Sequence, residues 1–289
     1  MSRLPISYYI DWTGLEDFNY DFDEAGLPRY DYGGDIGLKY NAITIAQWGL
    51  YNLQQWEKSG EEAKKQQAFR CADWLVENAK PWKQDMLAWV YDYGFDLYGP
   101  YPPWISGMGQ GEAISLLLRC YQIEPREKLI DTAHGAIKAF DYSIEQDGVA
   151  AQLSDGSIFF QEYPTSPPVH VLNGGIFALL GVHDYAEFFE NDHYRALTRQ
   201  CLDTLKKHWR DWDAGFWTLY DLYPLRRYAS KMYQELHIRQ FRSLAKLFGI
   251  EEFNNVADRW QRMQKSVASK LMWPAHKLYE KIRLRRHKR

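Results

Sequence analysis

A chain of 289 residues with net charge −3 can bury the core of one large domain or of two small ones, and its mild acidity argues against a nucleic-acid partner. Cys71, Cys120 and Cys201 lie in apolar runs without CxxC spacing, and the eight histidines never fall in an HxxxH or HExxH arrangement, so reduced core thiols and no metal are expected. No apolar run approaches the ~20 residues that span a bilayer, and the opening MSRLPISYYIDW lacks a signal-peptide core, which makes the cytoplasm the expected compartment.

In chain order, a first arm (residues 1–41) carries the turn DEAGLPRY and leads into a helix at ITIAQWGLYNL, from Ile43, with the amphipathic run EEAKKQQAFRCADWLVENA as its partner. A second arm (80–106) leads into GMGQGEAISLLL, from Gly107, and then PREKLIDTAHGAIKAFDYS. A third (144–170) leads into VLNGGIFALLG, from Val171, and then NDHYRALTRQCLDTLKKHWR. A fourth (211–234) leads into ELHIRQFRSLAKLFG, from Glu235, and then EFNNVADRWQRMQKSVASKL. Gln47, Gly111, Gly175 and Arg239 share one register, each 64 positions from the next. The first helix of each unit is apolar nearly all round and the second has a charged face, the contrast expected of two concentric layers.

This pattern predicts a mainly α fold, an (α/α) barrel or incomplete toroid of about four helical-hairpin repeats with short β-hairpin arms at one end. An open solenoid with a concave groove is the alternative. Alternation in VAAQLSDGSIFF and GFWTLYDL predicts hairpins in the third and fourth arms. Residues 1–275 are read as one domain and 276–289 as a basic tail containing KLYEKIRLRRHKR, suited to an anionic membrane surface or an acidic glycan. At 16% aromatic, with many rings in arm stretches such as VYDYGFDLYGPYPPW, the chain has the flat apolar faces that sugars stack on, although an aromatic-rich helical core would share that composition.

Chemistry concentrates in the arms. The stretch IFFQEYPTSPPVHVLNGG sets Glu162 beside Tyr163 on a proline-stiffened turn before Asn173 and two glycines that permit close backbone approach. The fourth arm interleaves phenols and bases: Tyr220, Asp221, Tyr223, Arg226, Arg227, Tyr228, Tyr233, Glu235 and His237. Arginine pairs with a carboxylate in bidentate fashion and a phenol can move a proton, so an acidic sugar suits this mixture. GMGQGEA has no preceding strand in a βαβ unit and is read as a close-packed helix start rather than a phosphate cradle.

YPPWISGMGQGEAISLLLRCY (101–121), FQEYPTSPPVHVLNGGIFALLG (160–181), GFWTLYDL (215–222) and YQELHIRQFRSL (233–244) resemble the C-terminal helical domain of the heparan sulfate/heparosan D-glucuronyl C5-epimerase family. The resemblance runs from about GLPRYDYGG to near Trp260. It implies inversion of C5 in D-glucuronate units of a polysaccharide to give L-iduronate, a reaction that requires no cofactor. It also implies catalytic roles for Glu162, Tyr163, Tyr220 and Tyr233 and a substrate-binding role for Asn173. Arg226, Arg227, His237, Tyr223, Trp104 and Gln110 complete the expected binding set. The family tends to carry arginine just after YDL where this chain has Tyr223, so Arg226 or Arg227 is expected to take that place. The implied partner is an acidic polysaccharide or a lipid-linked glycan. A homodimer and peripheral contact with the inner face of a membrane, through the basic tail, are compatible with it.

The same carbanion can expel the C4 substituent, so a polysaccharide lyase is the nearest alternative. A glycoside hydrolase pairing Glu162 with Asp92, Asp155 or Asp221 is another. A glycan-binding module with an idle acid–base pair is a third.

Overall fold

The four sequence units become four helix pairs. In the computed structural model, which describes residues 2–12, 15, 20–94, 100–224 and 227–287, α1 (Ala42–Ser59) packs on α2 (Glu62–Asn78), α3 (Gly107–Ile123) on α4 (Glu127–Ile137), α5 (Leu172–Phe188) on α6 (Asp192–His208), and α7 (Lys231–Phe248) on α8 (Glu251–Lys265). The Asn41, Ser106 and Ser230 side chains accept from the first turns of α1, α3 and α7, satisfying N–H groups that a helix leaves open. α5 starts at Val171 with no side-chain cap.

The odd-numbered helices form the inner layer, with α1 against α3, α3 against α5 and α5 against α7. Gly111 and Gly181 let α3 and α5 close to backbone contact: a Cβ at Gly181 would lie 2.3 Å from the Gly111 Cα. The GMGQGEA run is therefore the close-packed helix start its glycines suggested. Residues 2–9 cross the C-terminal halves of the inner helices, and the chain continues from there to Asp11 and Trp12. Ser2 N–H donates to Phe188 O (3.0 Å), Leu4 N–H to Gln122 (3.0 Å) and Tyr9 Oη to Asp184 (2.6 Å), while Ser243 donates to Tyr9 O (2.8 Å). Gln54 of α1 and Arg239 of α7 both reach Asp11, so this segment bridges the two ends of the inner layer and completes an incomplete toroid. Below it Arg119 and Asp184 pair at 2.5 Å with no solvent exposure.

The arms gather at the N-terminal ends of the inner helices. The first holds an antiparallel sheet of β1 (Asp21–Phe22), β2 (Pro28–Asp31) and β3 (Leu38–Lys39). The second holds β4 (Lys80–Pro81) with β5 (Leu87–Ala88) and β6 (Val90–Tyr91) with β7 (Trp104–Ile105). The third forms the expected hairpin, β8 (Ala150–Gln152) with β9 (Ile158–Phe160), Ala151 opposite Phe159. The hairpin expected over GFWTLYDL does not form; only the isolated bridges Asp213–Thr218 and Leu219–Tyr228 occur there among the described residues. Some of its backbone groups bond within the arm, Ala229 N–H donating to Thr218 O (2.9 Å), and others across elements: Leu222 N–H donates to Val169 O (2.9 Å) and Tyr220 O accepts from Leu172 N–H (3.0 Å).

A final helix, α9 (Val267–His287), contains Pro274 and runs through the start of the expected tail. The three cysteines are free and buried. Among the described residues no helix is long and apolar enough to cross a membrane.

Candidate active site

Glu162 sits between β9 and α5, and its surroundings fix it from several sides. Gln161 closes the turn that follows: its Oε1 accepts from His170 N–H (3.0 Å) and its Nε2 meets His170 Nδ1 (2.8 Å). Trp212 Nε1–H donates to His170 O at 2.9 Å, and Thr165 Oγ1 to Pro167 O at 2.9 Å inside the turn. The start of α3 locks the preceding backbone, Gly107 N–H donating to Gln161 O at 3.0 Å. The uncapped first turn of α5 lies against the carboxylate itself. A Cβ at Gly174 would stand 2.3 Å from Glu162 Oε2 and 2.6 Å from its Cβ. Gly174→Ala must therefore displace Glu162 or shift the helix, and is expected to cost about 1–3 kcal/mol of stability together with most of the site's activity. An unchanged melting temperature and turnover would show that Glu162 is not held by this contact.

The bonds from Leu172 and Leu222 zip the fourth arm onto the third and bring Tyr220 beside this turn. Tyr220 N–H also donates to Arg227 O (2.7 Å), and the Arg227 guanidinium lies 5.0 Å from the Tyr220 ring centre. Tyr233, in the first turn of α7, stands with its ring 4.7 Å from that of Tyr220. Together these groups wall a cavity of about 680 Å³ at the N-terminal ends of the inner helices, with Asn173 and Arg239 on its sides and Asp11 and Trp12 also lining it.

Burial controls the electrostatics. Glu162 is 5% exposed, its Oε2 has no hydrogen-bond partner within the protein, and desolvation pushes its pKa up to about 7 against the pull of the Tyr163 hydrogen bond and the Arg227 charge. Asp221 adds a small push in the same direction while itself pairing with Arg227 at 3.1 Å. Burial, then the Glu162 charge, lifts Tyr233 to about 12, so that phenol stays protonated near neutrality. Glu112 of α3, fully buried, accepts from Gln47 Nε2 at 3.1 Å, and desolvation holds its pKa well above the carboxylate range.

The structure thus brings Glu162, Tyr163, Tyr220, Tyr233, Asn173 and Arg227 to one cavity. Four expected binding residues stand elsewhere. His237 is fully buried behind the wall with Nδ1 2.9 Å from Thr218 Oγ1, and burial drops its pKa to about 3. Gln110 is 1% exposed and spends its amide on Leu87 O (3.0 Å) and Ala136 O (3.1 Å), a structural tie between α3, the second arm and α4. Trp104 stacks on Tyr91 at 4.2 Å and lies tilted against Tyr163 at 5.6 Å, packing beside the turn. Tyr223 packs against Val169, Val171 and Tyr220. Arg226 lies outside the described residues. As hydrolase partners, Asp155 is engaged by Lys207 and His208 and Asp92 pairs with Lys39 at 3.3 Å beside a separate cavity, which leaves Asp221 as the carboxylate near Glu162 among the three.

Several wall residues were not singled out from the sequence. Tyr20, Tyr30, Tyr32 and Asn41 come from the first arm, where Asn41 both caps α1 and joins the Tyr32 and Tyr91 hydroxyls at 2.6 and 2.8 Å. Gln47 and Arg239, two members of the 64-residue register, face the cavity from α1 and α7. Their shared register was the available signal. Glu112 was detectable as a lone carboxylate in an otherwise apolar helix.

The family model for the D-glucuronyl C5-epimerase C-terminus matches residues 83–262. The chain is 27% identical over 249 residues to the D-glucuronyl C5-epimerase of Caenorhabditis elegans, covering 79% of this chain and 39% of that protein. It is 28% identical over 178 residues to an uncharacterized protein of Methanocaldococcus jannaschii, covering 61% and 57% respectively. It spans less than two thirds of the length of either relative. A solved UGL variant with dGlcA-Glc-Rha-Glc superposes with a TM-score of 0.50 at 12% identity, over 76% of this chain and 61% of that one, which is a likeness of fold. With most of its repeats inside the matched span, and the Glu162 turn among them, the chain belongs to the D-glucuronyl C5-epimerase C-terminus family.

Proposed function

We propose that the chain inverts C5 of D-glucuronate units in an acidic glycan, either a polysaccharide or a lipid-linked intermediate, to give L-iduronate. The observation that carries this reading is that the buried Glu162, with a pKa near 7, and the protonated phenol of Tyr233 line one and the same cavity. Glu162 in its ionised form takes the C5 proton, and the C–H electron pair moves into the substrate carboxylate as an enediolate. Tyr233 delivers a proton to C5 from the other face, and the two residues then re-equilibrate with solvent. Arg227 and Arg239, both on the cavity wall, balance the charge that develops on the carboxylate, and the unpartnered Asn173 Oδ1 is an acceptor for a sugar hydroxyl.

Incubation with heparosan-type and other glucuronate polymers in deuterated water, followed by NMR at C5, tests the reading. Deuterium at C5 and iduronate signals without chain cleavage are expected. An ultraviolet-absorbing unsaturated product would assign the site to a lyase, and cleavage without exchange to a hydrolase. Tyr233→Phe separates the two protonic roles. The variant is expected to lose iduronate formation by about a hundredfold while Glu162 still exchanges the C5 proton of the starting epimer. Equal loss of exchange and inversion would remove Tyr233 from the acid role.

A further inference from the structure

The α9 helix turns an apolar face to solvent. Its other side docks on the fourth arm: Trp273 Nε1–H donates to Ala229 O (2.9 Å), Lys277 Nζ to Tyr228 O (2.7 Å), and Glu280 accepts from Tyr228 N–H (2.9 Å). Ser269 and Glu280 are buried on that side and the His276 ring packs, tilted, on Phe216 at 4.7 Å. Opposite, Val267 and Leu271 are each 73% exposed, Leu278 61% and Ile282 43%, with Tyr279 and Met272 beside them also exposed. At 3.6 residues per turn these four aliphatic residues fall within about 60° of one another. Lys270 and Lys281 lie together along one edge of that stripe by the same geometry. From Val267 onward the sequence holds eight Lys and Arg against one Glu, in a chain whose total charge is −3. Exposed apolar patches of this kind mark interaction surfaces.

We infer that α9 is an interfacial helix that lays this face on an anionic lipid surface. An aliphatic stripe edged by lysines is the pattern that buries its apolar side at the headgroup boundary while the ammonium groups meet lipid phosphates. A second copy is a poorer occupant, because pairing α9 with itself sets one strongly basic helix against another. Because α9 clamps the arm that carries Tyr220 and Arg227, docking also holds the candidate site beside the lipid surface. The inference does not depend on which reaction the cavity performs.

The test is co-sedimentation of the full chain with vesicles of phosphatidylcholine alone and of phosphatidylcholine mixed equally with phosphatidylglycerol. Binding is expected to be about tenfold stronger on the anionic vesicles and to weaken with added salt. Leu271→Glu with Ile282→Glu should reduce it at least about tenfold, and Lys270→Glu with Lys281→Glu should remove the anionic preference, with circular dichroism and melting temperature unchanged in both. Equal binding by wild type and variants, or no preference for the anionic vesicles, overturns the inference. So does a wild-type dimer in the analytical ultracentrifuge that ignores vesicles and is broken by Leu271→Glu, an outcome that gives the face to a second copy.

Discussion

Glu162→Gln is expected to slow C5 proton exchange by about 10²–10⁴-fold while leaving glycan binding and the fold in place, since general-base catalysis contributes on that scale. The amide keeps the shape of the carboxyl, so the packing against Gly174 survives and only the proton acceptor is lost. The size of the effect follows from the environment. An exposed carboxylate with a pKa near 4.5 is too weak a base for a proton alpha to a carboxylate, whereas burial brings Glu162 to about 7 and nearer the operating pH. Tyr163 moderates that shift through its hydrogen bond. Tyr163→Phe should therefore raise the pKa further and move the acid limb of the rate profile to higher pH, with a smaller loss of rate at its plateau. Wild-type exchange rates in Glu162→Gln would take the base role away from this residue, and Glu112, a second buried carboxylate whose pKa burial raises, would be the next candidate.

What was legible in the sequence was what repeats or what needs a rare residue type. Four apolar helices in a common register fixed the two-layer architecture, and Glu162 with its proline turn and following glycines marked the rim. The expected binding residues that do not line the cavity share one physical trait. His237, Gln110 and Trp104 each have polar groups that arms and helices use on one another, and a polar residue that ties two elements looks in sequence like one that meets a ligand. The first-arm tyrosines were missed because β1, β2 and β3 are only two to four residues long, too short to display alternation. GFWTLYDL showed alternation without becoming a hairpin: part of its backbone bonds within the fourth arm, Tyr220 N–H to Arg227 O among them, and part to the third arm and α5, a division that local pattern does not encode.

The pH dependence of stability offers an independent reading of the same carboxyl. Its pKa is about 7 in the folded protein and 4.5 in its ordinary state. Between those two values the folded protein keeps a proton that the unfolded chain has released, so stability falls as pH rises through the window and is level above it. The shift corresponds to about 3 kcal/mol, which on this chain is a change in melting temperature of several degrees. Glu162→Gln lacks the titration. The melting temperature of the variant should therefore gain on that of wild type as pH rises from 5 to 8, and the gain should be centred in the same interval. Differential scanning calorimetry of the two proteins across that range measures it, and a constant difference would mean that burial does not perturb the carboxyl. The rate and the stability then constrain each other. A catalytic base held at neutral pKa by desolvation lowers the stability of the folded protein in the pH range where it becomes active. The acid limb of the exchange rate and the upper end of the stability change should meet near pH 7, and two separate midpoints would require different groups for the two effects.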